Sequence, residues 1–199
     1  MSAKAAVIIP IYNSEDTIER CLKSALSQTL KDIKVVAVDD GSSDRSGEIC
    51  DKIASEDSRL TVIHKKNAGV AAARNDGIDA AGDAEYFCFF DSDDYADPQM
   101  VEKLYNRMKE TDADMCTCSV YFNDEALKLK RTDDIFISNP KLGQFYAEYM
   151  EKGIVPYTVW DSMYKAELIN RYNIRFCDYK KVFSEDDNPF QFQPATCRA

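Results

Sequence analysis

The sequence predicts an α/β protein with a mostly parallel, doubly wound central sheet. Two observations predict it. Short, mostly apolar runs recur at residues 5–11, 33–38, 60–63 and 86–90, and the continuous run at 5–11 is the mark of a strand buried on both faces. Between them lie segments whose apolar residues repeat at helical spacing or that are rich in alanine. Strands alternating with helices build βαβ units, and these make a parallel sheet covered by helices.

Each element follows from its residues. Ala-Ala-Val-Ile-Ile-Pro-Ile at 5–11 is the first strand, and Pro10, which lacks an N–H, should end its pairing. Asn13 or Ser14 is a candidate N-cap, with Glu15 and Asp16 in the first helical turn. Ile18, Cys21, Leu22, Ala25 and Leu26 then mark one helix face. Ile33–Val38 is the second strand, closed by Asp39-Asp40-Gly41-Ser42-Ser43-Asp44, where Ser43 or Asp44 caps a helix reaching about Ser55. Leu60–Ile63 is the third strand. Asn67-Ala68-Gly69 is a turn before an Ala-rich helix over 70–81. Tyr86–Phe90 is the fourth strand and ends in Asp91-Ser92-Asp93-Asp94. Asp97-Pro98 opens a helix to about Lys109, with proline in its first turn. Residues 114–122 make a fifth strand. Beyond them, 123–139 reads as loop or hairpin, and 142–151 and 161–172 as helices. The expected division is a first region at 1–122 and a second at 123–199, cut short at its C-terminus because Pro194–Ala199 carries no periodic pattern.

Composition narrows the function. The 199 residues carry a net charge of −10, the wrong sign for a nucleic-acid backbone binder. The acidity is uneven: residues 1–100 hold 11 basic and 19 acidic side chains, and residues 101–199 hold 14 and 16. A cation, or a ligand that brings one, therefore belongs with the first half. No apolar run approaches the ~20 residues that span a bilayer. The start, Met1-Ser2-Ala3-Lys4, has no signal-peptide character. Seven scattered cysteines read as reduced core thiols, and with one histidine and no C-x-x-C pair they argue against zinc. A cytoplasmic protein is expected.

The chemistry concentrates at strand ends. Open α/β sheets bind ligands outside the carboxyl ends of their strands, and two acidic clusters fall there, Asp39-Asp40 and Asp91-Ser92-Asp93-Asp94. Crowded carboxylates raise one another's pKa. Mg²⁺ or Mn²⁺ relieves that repulsion, using one or two protein carboxylates and phosphate oxygens of a substrate. Gly69 permits close backbone approach before a helix N-terminus suited to an anion, and Arg74 can pair with Asp39, Asp40 or a phosphate.

Four segments in order over about 95 residues resemble the family 2 glycosyltransferases, which have the GT-A fold: Val7-Ile8-Ile9-Pro10-Ile11-Tyr12-Asn13; Val38-Asp39-Asp40-Gly41-Ser42-Ser43-Asp44; Asn67-x-Gly69 with Ala73-Arg74-Asn75-x-Gly77; and Phe90-Asp91-Ser92-Asp93-Asp94. The resemblance implies an inverting, metal-dependent enzyme. It would move a sugar from a nucleotide-diphosphate donor, most often a UDP-sugar, to a hydroxyl of a saccharide or lipid-linked saccharide. The implied setting is surface or cell-wall polysaccharide synthesis, with peripheral contact at the inner membrane face.

Carried onto this sequence, the family places Pro10, Tyr12 and Glu15 in the nucleoside pocket and Asp39 on the base. Asp40, Gly69, Arg74, Asp91 and Ser92 border the donor. Asp93 is the expected ligand of Mn²⁺ or Mg²⁺. Asp186, in Ser184-Glu185-Asp186-Asp187, is the expected general base, with Glu185, Trp160 and Asp161 on the acceptor side. Relatives continue well past the Glu-Asp pair, so a donor-binding but catalytically incomplete fragment is one alternative. A receiver-like Mg²⁺-binding signalling domain is another, though it needs acids after the first strand, where this chain has Pro10 and Tyr12. A dinucleotide oxidoreductase or a sugar-nucleotide pyrophosphorylase would need a glycine-rich loop there, and none is present.

Overall fold

The computed structural model describes residues 2–118 and 159–177. Along the chain the elements are β1 (Ala5–Ile11), α1 (Ile18–Leu26), β2 (Ile33–Asp39), α2 (Ser46–Glu56), β3 (Leu60–His64), α3 (Val70–Ala81), β4 (Tyr86–Phe89), α4 (Met100–Thr111), β5 (Met115–Thr117), β6 (Ser162–Lys165) and α5 (Ala166–Arg171). The six strands form one sheet in the order β3-β2-β1-β4-β6-β5. The β3-β2-β1-β4 part is parallel, and β6 pairs antiparallel with both β4 and β5.

All seven β1 residues are buried because helices cover both faces of the sheet. On one face Val7, Ile9, Val35 and Cys88 pack with Ile18 and Leu22 of α1, Ile53 of α2 and Leu104 of α4. On the other, Ile8, Val36, Val38 and Phe89 pack with Ala73 and Ile78 of α3 and Ile169 of α5. Cys21, Cys50 and Cys88 are free, buried thiols, and burial pushes the Cys21 thiol up to about 12.

Gly77 sets how closely α3 lies on the sheet. A Cβ there would come 2.3 Å from Cγ2 of Ile8, a fully buried side chain at the centre of the sheet. Gly77→Ala gains about 0.5–1 kcal/mol of helix propensity, but overpacking a rigid core costs about 1–3 kcal/mol. The expected result is a net loss of about 1–2 kcal/mol, seen as a lower urea midpoint at unchanged slope. A midpoint equal to the wild type would show that α3 lifts off the sheet freely.

Several boundaries differ from the sequence reading. Pairing does not stop at Pro10: β1 stays in register with β2 through Pro10↔Val38 and Ile11↔Asp39. Ile8 accepts from the Phe90 N–H, so its backbone faces β4, and strand alternation turns the nitrogen of Pro10 to that same side. Pairing with β4 has already ended there, at Ile8↔Phe89. The missing donor thus faces an opening between β1 and β4 and not the ladder to β2.

The first helix begins at Ile18 with Thr17 at its N-cap, so Glu15 and Asp16 precede it. Asn13 has φ 50°, a left-handed conformation outside the extended region of an N-cap. The Ser14 carbonyl accepts from the Thr17 and Ile18 N–H groups, closing a turn before the helix. The fourth helix starts at Met100, because Asp97 forms a turn with its own carboxylate on the Gln99 N–H. Among the described residues the fifth strand is Met115–Thr117, half-buried at the sheet edge, and the rest of the expected strand beyond 118, with the expected loop at 123–139 and helix at 142–151, lies outside them. The expected helix over 161–172 is instead β6 followed by the short α5. Met163, fully buried, enters the sheet between Cys88 and Cys116, and this tertiary pairing outweighs local helical spacing. One sheet therefore takes strands from both sides of the boundary expected at residue 122.

Candidate active site

The chain leaves β1 toward β2 and β3, then crosses back to β4 on the other side of β1. That reversal leaves a crevice at the carboxyl ends of β1 and β4, where open α/β sheets bind ligands. A cleft of about 940 Å³ lies there. Pro10, Tyr12, Glu15, Asp40, Gly69, Arg74, Asp91, Ser92 and Asp93 all line it. Asp39, expected beside them, does not.

The strand-end loops build one another. Asp40 accepts from the Ala68 and Gly69 N–H groups at 2.9 and 2.8 Å. Both its oxygens are thereby engaged in shaping the approach to α3, and the residue is only 3% exposed. Gly69 itself has φ 91°, which other residues rarely adopt, and a Cβ there would meet nothing within 4 Å. The conformation, not crowding, requires glycine. Asp39 is 6% exposed. Its carboxylate accepts from the Ser42 N–H at 2.9 Å and from His64 Nδ1 at 3.0 Å. Burial alone would raise its pKa, but the hydrogen bonds from Ser42 and His64 outweigh burial and hold it below the ordinary value. Any base contact by Asp39 would share a carboxylate already turned to its own loop.

Alanine-arginine-asparagine-x-glycine at 73–77 divides its tasks. Arg74 does not pair with Asp39 or Asp40: its Nη2 donates to Asp91 Oδ1 at 2.6 Å. Its guanidinium lies 5.3 Å from the Phe176 ring centroid. Asn75 clasps the Phe176 backbone from both sides, accepting from its N–H at 2.8 Å and donating to its carbonyl at 2.9 Å. Gly77 makes the close approach to Ile8. One turn of α3 thus joins the acidic loop, the 174–177 segment and the core.

The acidic loop is held from α1 and the residues that flank it. Ser14 and Ser92 hydroxyls share a hydrogen bond of 2.7 Å, and Arg20 Nη2 donates to the Asp93 carbonyl at 3.0 Å. Arg20 also lies 4.7 Å from the Tyr95 ring centroid. Buried Gln28 donates to the Asp97 carbonyl and accepts from the Val101 N–H. Burial, then the neighbouring Asp93 and Asp91 charges, push the Asp94 carboxyl up to about 6, against the opposing pull of Arg20.

Asp93 is exposed on the cleft wall, and among the described residues only its backbone carbonyl is hydrogen-bonded. Its neighbour Asp91 is committed to Arg74. No group of three or more His, Cys, Asp or Glu side chains among the described residues is arranged to enclose a metal ion. These residues fit a hard divalent cation of the kind that uses one or two protein carboxylates and takes its other ligands from phosphate and water. The buried Arg74 Nε, which has no hydrogen-bond partner among the described residues, marks a further polar requirement beside Asp91.

Trp160 is half-buried beside β6, whose antiparallel course brings its start to the carboxyl end of β4. Neither Trp160 nor Asp161 is among the residues that line the cleft. Asp161 is 3% exposed, with its carboxylate accepting from the Ser162 hydroxyl. Glu185 and Asp186 lie outside the described residues. Ser14 and Asp44 also line the cleft, a role that their sequence pattern does not announce. Asp44 accepts from the Glu15 and Ser46 N–H groups, and Glu15 in turn accepts from Arg45, so the first two loops are cross-linked. In the sequence these serine and acid types signal helix caps, a local signal that hides a contact between loops.

The sequence profile of Glycosyl transferase family 2 matches residues 6–172. Glycosyltransferase EpsJ of Bacillus subtilis is 35% identical over 189 residues, which cover 93% of this chain and 54% of EpsJ. The cholesterol galactosyltransferase of Borreliella burgdorferi is 36% identical over 182 residues, 86% of this chain and 51% of that protein. This chain thus spans about half the length of these relatives. Among solved structures, S. aureus TarS in complex with UDP superposes with a TM-score of 0.70 at 22% identity, over 87% of this chain and 50% of that one. The mannosyltransferase PcManGT of Pyrobaculum calidifontis, in complex with GDP-Man and Mn²⁺, gives a TM-score of 0.61 at 17% identity, over 86% and 47%. These structures share the mixed α/β fold described above.

Proposed function

This chain belongs to glycosyl transferase family 2, and on that premise we propose that it binds a nucleotide-diphosphate sugar, a UDP-sugar first, and transfers the sugar with inversion to a saccharide or lipid-linked hydroxyl. One observation carries the reading: four segments far apart in sequence converge on a single cleft at the reversal of strand order, with Asp93 and Arg74 on its wall. The setting proposed with it is surface or cell-wall polysaccharide synthesis, in keeping with a family 2 relative that is a poly(ribitol-phosphate) beta-glucosyltransferase, 38% identical over 116 residues. Peripheral contact with a membrane is compatible with a lipid-linked acceptor. Among the described residues no helix is long and apolar enough to cross one.

In this reading the exposed Tyr12 offers a ring to the base at the cleft mouth, and Pro10 and Glu15 border the nucleoside. Gly69 leaves room for the donor beside the α3 N-terminus. Arg74 orients Asp91 and presents positive charge to the diphosphate. Asp93 holds Mn²⁺ or Mg²⁺, which when bound supplies Lewis-acid neutralisation of the departing diphosphate. The acceptor oxygen forms the new bond to the anomeric carbon as the bond to the diphosphate oxygen breaks. The electron pair leaves with the diphosphate, and the acceptor proton passes to a general base, for which Asp186 is proposed. Residues 1–122 carry the donor role in this scheme and 123–199 the acceptor role.

Calorimetric titration of UDP, with GDP as control and with or without Mn²⁺, tests the donor site. Binding that needs Mn²⁺, with Kd of the order of 10–100 µM, is expected. Failure of UDP to bind in either condition would overturn the UDP-sugar assignment, and preference for GDP would move it to a guanine donor.

A further inference from the structure

His64, the last residue of β3, stands between two carboxylates. Its Nδ1 lies 3.0 Å from Asp39 Oδ2 and its Nε2 lies 2.9 Å from Asp51 Oδ1. A neutral imidazole carries one N–H and can donate to only one of them; only the imidazolium donates to both. From Asp39 the hydrogen bonds continue outward. Asp39 Oδ1 accepts from the Ser42 N–H at 2.9 Å, and the Ser42 hydroxyl accepts from the Asn13 N–H at 3.0 Å. The Asn13 side chain returns the link, accepting from the Ser43 N–H at 2.8 Å. Asn13 holds φ 50° and follows Tyr12, which is 54% exposed on the cleft lip. The close approach is built in: a Cβ at residue 47 would fall 2.9 Å from Asp39 Oδ2 and 3.2 Å from His64 Cε1, so Gly47 leaves the space the pair occupies.

We infer that His64 is a positioning residue of the donor site: as an imidazolium it locks Asp51 of α2 to Asp39 of β2, and through Asp39, Ser42 and Asn13 it sets the lip that carries Tyr12. This rests on the donor-site reading above. The charged groups facing the ring are Asp39 and Asp51. Lys65, next in the chain, is turned elsewhere, paired with Asp76 and 4.0 Å from Asp40. Asp51 first and Asp39 second raise the His64 pKa above its ordinary 6.5. The sign follows. A pKa raised by folding gives stabilisation that is complete below the ordinary value and is lost as pH rises through the raised one. Nucleotide affinity should fall in the same window.

The test measures UDP affinity, with Mn²⁺, from about pH 6 to about pH 9 for the full chain and for His64→Asn and Asp51→Asn. The ratio of wild-type to His64→Asn affinity cancels the titration of UDP itself. That ratio should fall from about three- to tenfold at low pH toward one at high pH. Asp51→Asn should keep the step but move its midpoint to lower pH, which a purely structural histidine would not do. A pH-independent ratio, or an unmoved midpoint in Asp51→Asn, would overturn the inference. In the free protein, the Ser42 and Asn13 backbone amides should titrate in NMR spectra with the His64 midpoint and cease to do so in His64→Asn. Amides that ignore His64 would also overturn it. Failure of wild-type UDP binding at every pH would overturn the donor-site reading instead, and the amide titration would still decide the relay.

Discussion

Asp93→Ala is expected to abolish Mn²⁺-dependent binding of UDP while leaving the protein folded. The residue is exposed on the cleft wall, and within the described structure its loop is anchored through other groups. The Ser14–Ser92 hydroxyl pair, the Arg20 donation to the Asp93 carbonyl and the Arg74–Asp91 ion pair all survive loss of the Asp93 carboxylate. Removing it deletes an expected metal ligand without opening the core, so the unfolding midpoint should change by less than about 0.5 kcal/mol in equivalent stability. UDP affinity in Mn²⁺ should drop at least about tenfold, to the metal-free level. Asp93→Asn should behave similarly, because the amide keeps the shape but loses the charge that holds a hard cation. Calorimetry with and without Mn²⁺, beside a urea titration, separates the two effects. Unchanged metal-dependent affinity would remove Asp93 from the ligand set and turn attention to Asp91 and Asp94.

The second large effect is expected at the proposed general base. Asp186→Asn should leave UDP affinity within about twofold and lower the transfer rate about 10²- to 10⁴-fold, the usual contribution of a positioned base. The amide is nearly isosteric, so acceptor contacts by shape persist while the proton loses its destination. The comparison is run on any acceptor that the unaltered protein glycosylates, with Asp187→Asn beside it. A fully active Asp186→Asn protein would place the base elsewhere, first at Asp187.

Much of the lining of the candidate site is legible in the sequence residue by residue. Pro10, Gly69, Arg74, Asp91 and Asp93 carry their chemistry in their side chains or their lack of one, and the four segments stand in sequence order. Two kinds of information were not legible. The first is partnership. Asp39 and Asp40 are adjacent and alike, yet Asp40 faces the cleft while holding the Ala68 and Gly69 N–H groups, and Asp39 turns to Ser42 and His64. Strand alternation sends the two side chains to opposite faces, and what waits on each face comes from distant chain. Likewise Arg74 could have met any of several acids, and the placement of α3 against β4 selected Asp91. The second is the edge of the sheet. Residues 162–165 carry helical spacing too brief to decide their state, and pairing with β4 and β5 made them a strand.

What the sequence by itself determined is therefore what depends on short range: strands from short apolar runs, helices from their periodicity, acids at strand ends, and a glycine where the backbone must turn positive. Only the tertiary structure decided the strand order, the entry of β6 between β4 and β5, and the partner of each charged side chain. The physical reason is the same in each case. Backbone preference and solvation act on neighbouring residues and are written in local pattern. Hydrogen bonds and ion pairs form between whichever groups the packed helices and sheet bring within about 3 Å, and that distance is set by contacts made across the whole chain.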